Sequence, residues 1–95
     1  MATKIYKALS DPTRRKILQL LRKRDMNAGE ISEHFEVRKP TLSRHFSILQ
    51  EADLIQGRRA GNFIIYRLNV TVLEEAMWGM MNMFGIEPKG KKNEE

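Results

Sequence analysis

Residues 27 to 50, NAGEISEHFEVRKPTLSRHFSILQ, constrain the fold of this chain more than any other stretch. Two short amphipathic segments follow each other there, with a break at Glu36 and Val37 between them. At 3.6 residues per turn, the segment from Lys39 to about Glu51 places Leu42, Phe46 and Leu49 at i, i+4 and i+7, one apolar stripe that must face a core. Thr41, Arg44, Ser47 and Ile48 then point away from that core, with Ser43 and His45 on the flanks. Helix, tight turn, helix with a short polar face is the helix-turn-helix pattern.

A face of this kind can approach base edges in a major groove, where Arg pairs bidentately with guanine and hydroxyls adapt to several partners. An ordinary solvated helix face has the same periodicity, so the rest of the chain has to decide. Ninety-five residues make one domain, small enough that oligomerisation would add useful burial. Lys and Arg outnumber Asp and Glu by 17 to 12, a net charge of +5 that suits a polyanionic partner. The distribution says more. Lys4 to Arg24 carries eight bases against Asp11 alone, and Arg38 to Arg67 carries six against Glu51 and Asp53. Two basic stretches flanking an acidic one can converge into a stripe for phosphates, or serve solubility alone.

The absence of cysteine excludes disulfides, thiolate metal sites and a Cys nucleophile. MATKIYKAL lacks the apolar core of a signal peptide, and no apolar run is long enough to span a bilayer. The expectation is a cytoplasmic protein with no membrane insertion.

Taken in order, Ile5, Ala8 and Leu9 share one face of a short first helix. Asp11 is placed to cap a second helix that opens on Pro12, runs to about Lys23, and turns Ile17, Leu18, Leu20 and Leu21 inward with Arg15, Lys16, Arg22 and Lys23 outside. Asn27 with Glu30 reads as a capping box for a third helix that buries Ile31 and Phe35. The open main-chain donors at Asn27 and Ala28 are also candidates for a DNA phosphate, although capping alone would explain them. After the second amphipathic segment the pattern turns extended. β-Branched and aromatic residues on both sides of Gly61 and Asn62 predict a β-hairpin, with Gly61 supplying a positive φ and Arg58, Arg59 and Asn62 at or near its tip. Thr71 with Glu74 predicts a capping box opening a last helix through about Phe84. That helix is apolar on most of its circumference and therefore needs two partners, one of them expected to be the same helix of a second protomer. The domain is expected to span residues 1–84, and 85–95 to be a disordered tail.

Three segments together carry a resemblance: ALSDPTRRKIL from Ala8, KPTLSRHFSILQEADLI from Lys39 and RRAGNFIIYRLN from Arg58. In this order and spacing the chain resembles the ArsR family of winged-helix repressors over nearly its whole length, and is most similar to the SdpR-like autorepressors. The resemblance implies a mainly α fold with a small β-hairpin, in the order α-α-α-α-β-β-α. It also implies a homodimer joined through the first and last helices that binds an imperfect inverted repeat in double-stranded DNA and blocks transcription. By position, groove reading falls on Lys39, Pro40, Ser43 and Arg44, with Thr41 and His45 adjacent, and wing contacts fall on Arg58, Arg59 and Asn62. Ser47 joins this set from its place on the outward face. Ile5, Leu73, Met77, Met80, Met81 and Phe84 are the expected dimer residues. Arg38 stands where the family commonly has a capping Ser; it caps poorly but adds a phosphate-seeking charge.

Metal-sensing members use cysteines in the third helix or His and carboxylates in the last, and neither set exists here. Glu30 and His34 are spaced i, i+4, for which a surface ion pair is the expected role. No metal or cofactor is therefore expected, and no catalytic constellation is present. A protein or small-molecule regulator is left open. The rival reading is a winged-helix module that binds another protein, since the fold alone does not dictate DNA binding; Lys39 and Arg44 on the outward face weigh against it.

Overall fold

Pro12 has no amide hydrogen to leave unsatisfied and a φ near the helical value, so a helix can begin there without loss. The computed structural model, which describes residues 2–87, begins its second helix at that residue, with Asp11 Oδ2 accepting from the Arg14 amide at 3.1 Å. The elements in chain order are α1 (Ala2–Leu9), α2 (Pro12–Lys23), β1 (Met26–Asn27), α3 (Ala28–Ser32), α4 (Lys39–Glu51), β2 (Ile55–Ala60), β3 (Phe63–Leu68) and α5 (Val70–Met83). This is a mostly helical winged-helix fold with a three-stranded antiparallel sheet of order β1-β3-β2.

One core joins the helices to the sheet. Ala8 of α1, Ile17, Leu18, Leu20 and Leu21 of α2, Ile31 of α3, and Leu42, Phe46 and Leu49 of α4 are buried together with Leu54, Ile55 and Leu68. The stripes expected on α2 and α4 are thus the ones that pack. Ile48 is the exception on α4: expected to point outward, it is half-buried against the core, because it lies next to Leu49 on the edge of the stripe.

Strand β1 has no signature of its own. Met26 and Asn27 pair with Tyr66 and Ile65 of β3, so the hairpin recruits them as a third strand just before α3 starts. The capping box of Asn27 and Glu30 forms in both directions, at 2.8 and 2.9 Å. α3 itself stops at Ser32, about a turn short of the expected end. The His34 and Phe35 amides donate to the carbonyls three residues back, a tightened turn that leaves Phe35 half-buried rather than buried.

α4 ends in a Schellman arrangement. The Leu54 amide donates to the Leu49 carbonyl at 3.0 Å and the Asp53 amide to the Gln50 carbonyl at 2.9 Å, with Asp53 at φ 60° in the position glycine usually fills. The hairpin tip matches expectation: Ala60 pairs with Phe63 across Gly61 and Asn62, and Gly61 takes φ 64°. The start of α5 does not. Asn69, not Thr71, is the cap, its Oδ1 accepting from the Val72 amide at 3.5 Å, and Thr71, already inside the first turn of the helix, cannot serve. α5 closes through Gly85 at φ 70°, with the Ile86 amide bonded to the Met81 carbonyl at 2.8 Å. Gly85 and Ile86 thus finish the helix, and most of the expected tail, 88–95, lies outside the described residues.

Candidate nucleic-acid interface

The buried stripe of α4 fixes which of its side chains are left for a ligand. Lys39, Pro40, Thr41, Ser43, Arg44 and Ser47 are all exposed, and together they form one polar face. At the head of this face α4 begins without help: Arg38 is its N-cap, makes no side-chain capping bond, and no acid lies in the first turn. The first amides of a helix have no intrahelical acceptor and carry partial positive charge. Arg38 and Lys39 add two full charges beside them. Among the described residues nothing offsets this concentration of donors and cations, and an anion would.

The wing is the second component. Gly57 faces Tyr66 across the ladder, and a Cβ there would meet Ile64 Cγ2 at 2.8 Å, so glycine lets Ile64 and Tyr66 close over it. Side chains alternate along the ribbon. Ile55, Gly57 and Arg59 therefore share the face with Tyr66 and Leu68 that packs on the helices, and Gln56 and Arg58 share the opposite face with Arg67. Arg58 and Arg59, grouped by sequence, thus project from opposite sides of the wing, both exposed, with Asn62 exposed at the tip. Arg67, exposed beside Arg58, belongs with these cations and was not singled out by sequence; its pairing with Gln56 in the ladder is what places it. Among the described residues the ion pair found is Arg24 with Glu30, at 3.5 Å, and no described carboxylate pairs with Arg38, Lys39, Arg44, Arg58, Arg59 or Arg67.

Two expected contact residues are placed differently from the rest. The Asn27 amide donates to Glu30 Oε1 and its side chain is engaged in the same box, which withdraws Asn27 from the main-chain phosphate contact expected of it. Glu30 is held to that box and to Arg24 rather than to His34. The Asn27 amide, with the opposing effect of desolvation next and the Arg24 charge and hydrogen bond after it, keeps its carboxyl below the usual range for glutamate. His45 is half-buried on the inner edge of α4, with Nδ1 3.1 Å from an Arg14 guanidinium nitrogen.

The model of the family described as bacterial regulatory protein, arsR family, matches residues 11–56, from the cap of α2 through α4 into β2. The transcriptional repressor SdpR of Bacillus subtilis (strain 168) is 53% identical over 78 residues, 82% of this chain and 87% of that protein. The chain belongs to the ArsR family. A second relative, the arsenical resistance operon repressor of Staphylococcus xylosus, is 41% identical over 70 residues, 74% of this chain and 67% of that protein. Among solved ArsR-type structures, a possible transcriptional regulator for arsenical resistance superposes with TM-score 0.74 at 30% identity, covering 85% of this chain and 83% of that one. An ArsR-like regulator from Rhodococcus sp. RHA1 gives TM-score 0.77 at 26% identity, covering 88% and 78%. As an ArsR-family member, the protein is a DNA-binding transcriptional regulator, and its described helices include none long and apolar enough to cross a membrane.

Proposed function

We propose that this protein is a repressor that binds an imperfect inverted repeat in double-stranded DNA as a homodimer, with its own promoter as the first site to examine. The observation that carries the DNA contact is the uncapped start of α4, where open amides, Arg38 and Lys39 gather without an acid. A phosphate satisfies all of them at once. From that anchor Thr41, Ser43, Arg44 and Ser47 face base edges, while Arg58 and Arg59 put one cation on each side of the wing, as an arm between two phosphate rows requires. The same uncompensated cations weigh against the protein-binding module.

The dimer is supported by α5. Only Ala76 on this helix is buried; Leu73 and Met81 are half-buried, Met77 and Phe84 are 55% and 71% exposed, and Met80 is exposed with them. A cleft of about 260 Å³ lined by Leu9, Leu18, Leu68 and Leu73 opens at the root of the helix, joining its apolar surface to that of α1, where Ile5 is half-buried. A second copy of the chain has the matching surface, and two-fold pairing of helices would bury both. The reading includes no metal control, since Glu30 is committed to its box and α5 contains neither His nor Cys.

Fluorescence anisotropy with a promoter duplex tests the reading. Affinity should fall steeply with salt, each neutralised phosphate contributing about 0.9 to the log–log slope. A salt-independent signal contradicts it.

A further inference from the structure

Arg14 is a charged side chain that is only 8% exposed, and each arm of its guanidinium is engaged. Nε donates to the Ala8 carbonyl at 2.9 Å, Nη2 to the Lys7 carbonyl at 3.0 Å, and Nη1 lies 3.1 Å from His45 Nδ1. The first two acceptors are carbonyls at the C-terminus of α1, where the helix dipole is negative and a cation is favoured. The third lies on α4, 31 residues away in sequence. One side chain therefore ties the end of α1 to the helix that carries the groove-facing residues.

The contact with His45 has a chemical consequence. A guanidinium offers only donors, so Nδ1 must be the acceptor and carries no proton. The neutral ring then holds its proton on Nε2. That nitrogen has no hydrogen-bond partner among the described residues, and no unpartnered side-chain nitrogen or oxygen is buried, so Nε2–H reaches solvent. It does so from the flank of α4, one residue from Arg44 and two from Ser43 and Ser47.

We infer that Arg14 is a positioning residue for DNA recognition: it locks His45 in the Nε2–H form and aims that proton as a donor at an acceptor of the bound duplex. The acceptor class is a backbone phosphate oxygen, because His45 lies at the inner edge of α4, toward α1 and α2, and the base-facing centre is occupied by Arg44 and its exposed neighbours. Arg14 acts through His45 and does not touch DNA. Substituting Arg14 should then cost DNA affinity only while His45 is present. This rests on the reading of α4 as the DNA-binding helix.

The experiment combines nitrogen-15 spectra of the imidazoles with a double-mutant cycle on DNA affinity, using the full chain. In the wild type without DNA, His45 should show a bare Nδ1 and a protonated Nε2. Arg14→Lys keeps a cation near the α1 carbonyls and should let His45 exchange between tautomers. His45→Asn retains an acceptor for Arg14 and draws its donor back to Nδ2, short of the place of Nε2. Each single change should weaken binding about tenfold, the worth of one good hydrogen bond, by a similar factor on all duplexes if the acceptor is phosphate. A loss confined to particular sequences would place the acceptor on a base and overturn the phosphate assignment. The double variant should bind no more weakly than His45→Asn alone. Additive losses, or a wild-type ring protonated on Nδ1, overturn the proposal while leaving DNA binding intact. Should Arg14→Lys fail to fold, His45→Asn and the wild-type spectrum still decide it: an unchanged affinity in the first or the wrong tautomer in the second refutes it. A wild type that binds no duplex overturns the DNA reading itself, and the proposal with it.

Discussion

Phe46 of α4 stacks on Tyr66 of β3, with ring centroids 4.9 Å apart and planes 30° from parallel. This pair joins α4 to the wing, so the two parts proposed to contact DNA keep one relative position. Tyr66→Leu retains apolar volume and removes the ring pair. It is expected to lower stability in urea unfolding by about 0.5–1.5 kcal/mol. DNA affinity should fall as well, through a looser wing.

Asp53 adopts φ 60° at the end of α4, a conformation that a Cβ disfavours and that places a carboxylate near the negative end of a helix. Asp53→Gly is expected to raise stability by about 0.5–1 kcal/mol. Asp53→Val, branched at Cβ, should lower it by at least about 1 kcal/mol. Both are measured by thermal or urea denaturation. A destabilising glycine would mean that the Asp53 side chain has a role of its own.

Most of the helical frame was legible because burial enforces periodicity: Leu42, Phe46 and Leu49 could serve no other purpose at their spacing. The hairpin was legible for a similar reason, with the β-branched and aromatic run of β3 following a Gly61 that can turn. What escaped depends on partners distant in sequence. Met26 and Asn27 are a strand only because Tyr66 and Ile65 come to pair with them. Arg14 looks like any outward base in a run of three, and its burial follows from two main-chain carbonyls and an imidazole that no composition pattern reveals. The cap of α5 is hidden because Thr71 and Glu74 mimic a box, while Asn69 sits one residue before the helix and holds the Val72 amide.

Asp11 gives the fold a pH dependence at its acidic limit. Desolvation raises its pKa, but the Arg14 amide, the electrostatic contributions of the neighbouring His45 and Arg14 side chains, and the Thr13 amide outweigh it and hold the carboxyl below the ordinary aspartate value. A folded-state pKa below the unfolded one contributes stability that is fully present above about pH 4 and is lost as pH falls through the lower folded value. Asp11→Asn should cap α2 nearly as well and flatten this acid-side loss. Asp11→Ala should cost about 1 kcal/mol at neutral pH. Urea unfolding as a function of pH checks both.

Arg44 and Arg59 should differ in kind. Arg44→Ala is expected to lose discrimination between bases at one position by about 1–3 kcal/mol, the worth of a bidentate pair. Arg59→Ala should weaken all duplexes by a similar factor and lower the salt slope by about 1. Competition binding over single-base variants of one site separates these patterns.

The relation between α5 and α4 is tested most directly by selecting bound sequences from a random duplex library, with wild type and a Met77→Glu, Met80→Glu variant in parallel. A two-fold dimer sets two copies of α4 into major grooves about 34–36 Å apart or a multiple of that. The wild type should therefore enrich a near-palindrome with half-sites at that spacing, and the charged variant, unable to bury α5 against a partner, should enrich none. A single asymmetric site for the wild type, or the same palindrome recovered by both proteins, would contradict the assignment of α5 to the dimer.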